Sequence, residues 1–206
     1  MVPLHSLAAF LAAVFPLIAT PGASLALLTR QVTHEGRRRA APVILGTVTG
    51  LYVHAGLAVA GLSALIMHSS QAFTAVKLAG ATYLIGLAAW TWRSTTSRAP
   101  AVSRRHLPEA AGSPYVQALL GNVLNPKAAS IYLTLIPQFI TPHRPFTGQI
   151  LTFATAHALL IAVWLLVWTG LIGGADRMLS APRFKTVVTR ISAVVLLALG
   201  IRSAVT

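Results

Sequence analysis

Residues 3–29 contain no Lys, Arg, Asp or Glu, and neither do residues 40–76. A helix that crosses the hydrocarbon core of a bilayer needs about 20 mainly apolar residues, and both runs exceed that length. Only 9% of the chain is charged and 55% is apolar, whereas a soluble domain carries about 25% charged residues. The class is therefore a polytopic helical membrane protein with the lipid bilayer as a partner. A net charge of +13 in a soluble domain would point to nucleic acid. Here the charges cluster in short segments between apolar runs, so they read as membrane orientation and no nucleic acid is expected. The chain has no cysteine, which excludes thiol redox chemistry, disulfides and thiolate metal sites. No metal site or cofactor is expected.

Six spans fit the pattern, at 4–28, 41–66, 72–92, 115–140, 147–173 and 186–205. Basic residues alternate in density between them. The first loop, 29–40, holds Arg30, Arg37, Arg38 and Arg39. The third holds Arg93, Arg98, Arg104 and Arg105, and the fifth with its helix ends holds Arg177, Arg183, Lys185 and Arg190. The opposite side has Lys77, Arg144 and Arg202. The positive-inside rule places the twelve in the cytoplasm and both termini outside. No Lys or Arg precedes Arg30, so the first run lacks the basic start of a cleaved signal and reads as a retained span. Residues 93–114, rich in Ser, Arg, Pro and Ala, form a cytoplasmic linker between halves 1–92 and 115–206 of one domain, 1–206. Three spans per half reverse the second half across the bilayer, as in an inverted-topology repeat. Trp90, Trp92 and Trp168 fall near cytoplasmic span ends, where indoles anchor at the interface.

Two spans are interrupted. Proline removes a donor and clashes with the carbonyl four residues back, and glycine permits unusual backbone angles. Thr20-Pro21-Gly22 with Ser24 can thus unwind a turn and expose carbonyls, amides and hydroxyls, although a simple kink is the competing reading. Asn125-Pro126-Lys127 repeats the pattern in the fourth span, with Asn122 on the same helical face as Asn125. Freed backbone groups in lipid are tolerated only where protein buries them or a watery cavity solvates them. Paired breaks in two halves point to a transport site near the midplane. Lys127 is a charge deep in an apolar span and either faces such a cavity or snorkels to the nearer surface.

Span 2 carries Gly46, Gly50 and His54 at four-residue intervals, a small-residue ridge for close helix packing. His157 lies in span 5. Either histidine can relay a proton, or it sits neutral and hydrogen-bonded to a neighbouring helix. The carboxylates are Glu35 and Glu109, read as loop residues, and Asp176 just past span 5. None lies in mid-span, which disfavours a hard-cation pathway. No hydrolase motif is present, and the chain is expected not to be an enzyme.

Together these residues resemble a known family. Pro21-Gly22-Ala23-Ser24 is similar to the Pro-Gly-Pro-Asn/Ser signature of the LysE/RhtB amino-acid exporters. Gly36-Arg37-Arg38, the Gly46–Gly50–His54 ridge with Gly61-Leu62, and residues 77–84 with Gly86 follow in the family's order. So do Asn125-Pro126-Lys127 and Pro137-Gln138-Phe139. The resemblance implies an all-α, six-helix inner-membrane exporter of amino acids and related small metabolites, homodimeric and driven by the proton gradient. Ala23 replaces the second proline of the signature, which predicts a milder first break and a different substrate choice.

The expected function is amino-acid export by alternating access. Thr20, Pro21, Gly22, Ser24, Asn122, Asn125, Pro126 and Lys127 would bind substrate, with His54 and His157 as proton-coupling candidates. Three alternatives stand beside it: an inorganic cation exporter, an intramembrane enzyme using His54 or His157, and a non-transporting scaffold. A transporter requires a cavity joining the two breaks, whereas a scaffold requires breaks that are tightly packed.

Overall fold

A computed structural model describes residues 2–20, 22–68, 113–141 and 144–172, together with single helical positions within 78–89 and 186–201. The described residues form helices and turns, with no strand among them. Helices α1 (Leu4–Ala19) and α2 (Ala23–Glu35) meet at the first break with a bend of 54°. The chain therefore turns sharply there with Ala23 in place of a second proline. Helices α3 (Ala40–His68) and α4 (Pro114–Val123) follow, then the short α5 (Pro126–Ser130) beyond the second break, and α6 (Phe146–Leu171). Helices α3 and α6 are each long and apolar enough to cross a membrane, and the bent α1–α2 pair makes a third such span. Most of the expected spans 72–92 and 186–205 lies outside the described residues, as do Trp90, Trp92, Glu109, Asp176 and most of the 93–114 linker.

The first span does not stop at residue 28. Leu25, Leu28 and Val32 keep an inward apolar stripe through the polar segment, and the helix runs on until Gly36. There φ is +88°, and the Gly36 amide bonds the Val32 carbonyl at 3.0 Å. A glycine in this left-handed region ends a helix without steric cost. Glu35 is accordingly the last residue of α2 rather than a loop residue, and it pairs with Arg39 at 2.7 Å.

The fourth span is irregular beyond its break. Helix α5 passes into a π-helical turn, Ile131–Leu135, and then a 3-10 turn, Ile136–Phe139. Pro137 cannot donate to the carbonyl of Leu133 and its ring pushes that carbonyl aside, so the ladder changes register around it.

Helices α3 and α4 pack along the glycine ridge, as the sequence predicts. A Cβ at Gly46 would collide with the Tyr115 carbonyl oxygen and lie 2.9 Å from the Ala118 Cβ. A Cβ at Gly50 would lie 2.8 Å from the Asn122 side chain. Tyr115 closes the same seam by donating to Thr49 Oγ1 at 3.2 Å.

Two apolar clusters hold the described helices together. One gathers Phe10, Val14, Tyr132, Leu135, Ile136 and Phe153, with Phe10 and Phe153 ring centres 4.9 Å apart. The other gathers Leu28, Val32, Val43, Leu165 and Trp168. Along α3 and along α6 the clusters occupy opposite ends. At the second end Arg37 donates to the Gly170 carbonyl at 3.2 Å and Arg30 to Gln117 Oε1 at 3.5 Å. The ends of α2 and α6 and the starts of α3 and α4 therefore share one basic end of the molecule.

Trp168 is not an interfacial anchor. It shares the inward face of α6 with Leu165 and Ile172, is 3% exposed, and packs edge-on to Trp164 at 5.6 Å. The opposite face of α6 leaves Leu159 63% and Leu166 58% exposed, an apolar exterior suited to lipid.

Candidate functional site

Both breaks are built by local hydrogen bonding. At the first, the Thr20 amide and hydroxyl both donate to the Pro16 carbonyl, at 3.1 and 2.9 Å. Thr20 then turns extended, which ends α1. Gly22 is also extended and starts α2, where no side chain caps the first turn. The first amides of a helix have no intrahelical acceptor and carry its positive dipole end.

At the second break Asn125 is the N-cap of α5, its Oδ1 accepting from the Lys127 amide at 3.0 Å. Pro126 occupies the first helical position, where its missing N–H costs nothing. Asn-Pro-Lys is thus a helix restart: cap, proline, then the first lysine turn. Ser130 donates to the Lys127 carbonyl at 2.8 Å and tightens that turn.

Lys127 does not snorkel to the surface. Its Nζ donates to the Thr20 carbonyl at 3.2 Å, joining the two breaks across 107 residues of chain. Between the breaks lies a cavity of about 60 Å³. A water occupies roughly 10–15 Å³ on this measure, so the space holds a handful of waters. Thr20, Gly22 and Ser24 line it from the first break, and Asn122, Asn125 and Lys127 from the second. Helix α6 adds His157 and Trp164, and Leu17, Leu51 and Ile131 supply apolar wall. Breaks that meet around a cavity are not the tightly packed breaks a scaffold requires.

Three lining residues hold buried polar atoms with no hydrogen-bond partner: Asn122 Oδ1, His157 Nδ1 and Trp164 Nε1. Leaving a buried donor or acceptor unsatisfied costs about 1–3 kcal/mol.

His54 sits one layer behind the cavity. Its Nε2–H donates to the Asn122 carbonyl at 3.2 Å, a hydrogen bond from α3 to the neighbouring helix α4. Tyr132 contacts both histidines, stacked on His54 with ring centres 5.7 Å apart and tilted against His157 at 5.9 Å.

The structure brings Thr20, Gly22, Ser24, Asn122, Asn125, Lys127 and His157 together. Pro21 lies outside the described residues. Sequence reasoning missed Tyr132 and Trp164. Tyr132 stands in an apolar run that marks it as ordinary core. Trp164 had one usable signal, its four-residue spacing from Trp168, which puts both indoles on one face.

A model of the family described as LysE type translocator matches residues 15–206. An uncharacterized membrane protein of Bacillus subtilis (strain 168), YrhP, is 29% identical over 97% of this chain and 99% of its own length. The homoserine/homoserine lactone efflux protein of Salmonella typhi is 35% identical over 77% of this chain and 75% of its own. The protein of the same description from Salmonella typhimurium is 34% identical over the same shares. No solved structure matches the chain significantly.

Proposed function

We propose that this chain, which belongs to the LysE type translocator family, exports amino acids or related small zwitterions across the inner membrane by alternating access. The observation that carries the reading is the cavity lined by both helix breaks and bridged by Lys127 and the Thr20 carbonyl. Relatives described as homoserine/homoserine lactone efflux proteins support the cargo class.

The arrangement suggests how cargo is held. The first-turn amides of α2 have no side-chain cap, so a carboxylate would dock at that positive helix end. The corresponding amide of α5 is already occupied by Asn125, which makes α2 the better anion site of the two. Lys127 would neutralise the carboxylate, with Thr20, Ser24 and Asn122 as neutral partners. A cavity of about 60 Å³ is far below the roughly 300–1,000 Å³ of ordinary ligand pockets. Cargo entry therefore requires the breaks to part. The two apolar clusters flanking the cavity would act as alternating gates. His157 is the better proton carrier, because His54 is engaged with the Asn122 carbonyl while His157 Nδ1 has no partner.

In the full reading, six spans form an inverted 3+3 repeat in a single domain. The basic ends face the cytoplasm, both termini face outside, and two copies form a dimer. Efflux of radiolabelled amino acids from preloaded vesicles tests the function. Vesicles holding the chain are expected to lose label faster than empty ones, and equal loss would refute transport of the compounds used.

A further inference from the structure

We infer that Arg37 and Arg38 hold the phosphate of an anionic phospholipid whose acyl chain lies along the outer seam between α3 and α6. The inference is independent of what the chain exports.

Two hydrogen bonds define the seam. At one end Arg37, in the turn that leads into α3, donates to the Gly170 carbonyl at 3.2 Å. At the other the hydroxyls of Tyr52 and Thr155 share a bond at 3.0 Å. Tyr52 follows Arg37 by as many residues as Gly170 follows Thr155. The two helices therefore run antiparallel in one register, over about 22 Å at the helical rise. In that register Ala41 lies opposite Leu166, and Leu45 lies opposite Ala162. Each leucine faces an alanine, which leaves a shallow apolar track. Leu45 is 59% exposed, and Ala41 and Leu166 are exposed as well. One leaflet of the hydrocarbon core is roughly 15 Å deep, so an acyl chain fits along the track.

The upper end of the track is cationic. The membrane-length helix begins at Arg37, which sets Arg37, Arg38 and Arg39 at the level of lipid headgroups. All three are exposed. Glu35 neutralises Arg39. Arg37 bonds a neutral carbonyl and keeps its charge. Arg38 has no hydrogen bond or ion pair among the described residues. Guanidinium groups present planar pairs of donors that match a phosphate. There is also room for one, since a Cβ at Gly170 would meet nothing within 4 Å. A second copy of the chain seated symmetrically on this face would set like charges together. A lipid phosphate instead supplies the negative charge that the patch lacks.

The test is titration of the purified chain in neutral detergent with dioleoyl phosphatidylglycerol or dioleoyl phosphatidylcholine, with bound lipid counted by native mass spectrometry. Each basic residue near the surface contributes about 5-fold, so phosphatidylglycerol is expected to bind about 25-fold more tightly than phosphatidylcholine. Arg38→Gln leaves the Arg37 bond to Gly170 in place and should weaken phosphatidylglycerol binding about 5-fold. Arg144→Gln removes one charge outside this cluster and should leave binding unchanged. Equal binding of the two lipids, or equal loss in the two variants, would overturn the inference. Displacement of phosphatidylglycerol by excess inorganic phosphate would reveal a bare anion site and overturn the lipid assignment. A dimer that forms only when lipid is removed would give the face to a second copy and overturn it too. The wild-type comparison of the two lipids decides the matter even if a variant fails to fold.

Discussion

Lys127 carries two separable roles, and side-chain chemistry can part them. Glutamine keeps a donor for the Thr20 carbonyl but removes the charge, and alanine removes both. Lys127→Gln is therefore expected to melt near wild type in detergent yet to export at least about 10-fold more slowly, since hydrogen bonds to charged groups contribute about 1.5–3 kcal/mol. Lys127→Ala should lose export and also some stability, because the hydrogen bond that ties the second break to the Thr20 carbonyl is removed, a loss of about 0.5–1.5 kcal/mol. Export by Lys127→Gln at the wild-type rate and equal expression would mean that the charge does not touch cargo. This lysine was legible in the sequence because a charge in an apolar span has few permitted explanations. Asn122 and Asn125 were legible for the same reason, as amides beside a proline. Tyr132 was not, because a tyrosine among isoleucine and leucine looks like core until its neighbours are known.

Among the elements, the contact of α3 with α4 offers the sharpest test, because glycines on one helix face different surroundings. Replacing glycine by alanine in a helix gains roughly 0.5–1 kcal/mol of propensity. At Gly46 the added methyl would meet the Tyr115 backbone carbonyl, which cannot rotate away, and overpacking of this kind costs about 1–3 kcal/mol. Overpacking wins there, so Gly46→Ala is expected to lower the melting temperature. Gly56 faces open space, so Gly56→Ala should melt at or slightly above wild type. Equal melting of the two variants would mean that the ridge is not the contact. The ridge could be read from four-residue spacing alone. Helix ends were harder. Spans expected at 41–66 and 147–173 match α3 and α6 closely, since uncharged runs bound them. The end of α2 was placed at 28 and lies at Glu35, because polarity marks where a helix leaves lipid and not where its hydrogen bonds stop. The π-helical turn before Pro137 also escaped, as proline signals a disturbance without specifying which register absorbs it.

For the whole molecule, the absence of native cysteine allows single thiols to be placed without background. Gly36→Cys is expected to react with an impermeant thiol reagent only from the cytoplasmic side, and Arg144→Cys only from outside. The reverse pattern, or both on one side, would refute the proposed orientation. Charge alternation in the loops is the argument for that orientation, and the meeting of the two breaks was legible only as a requirement of transport. Their actual joining through Lys127 and Thr20 depends on tertiary packing that no one-dimensional pattern contains. The central claim is that cargo passes through this shared cavity. Ser24 lines it from the first break, so the most direct measurement is efflux by Ser24→Cys before and after reaction with a small methanethiosulfonate. Modification is predicted to stop efflux, and a transported amino acid at saturating concentration to slow the modification. Complete modification with undiminished efflux would contradict the account.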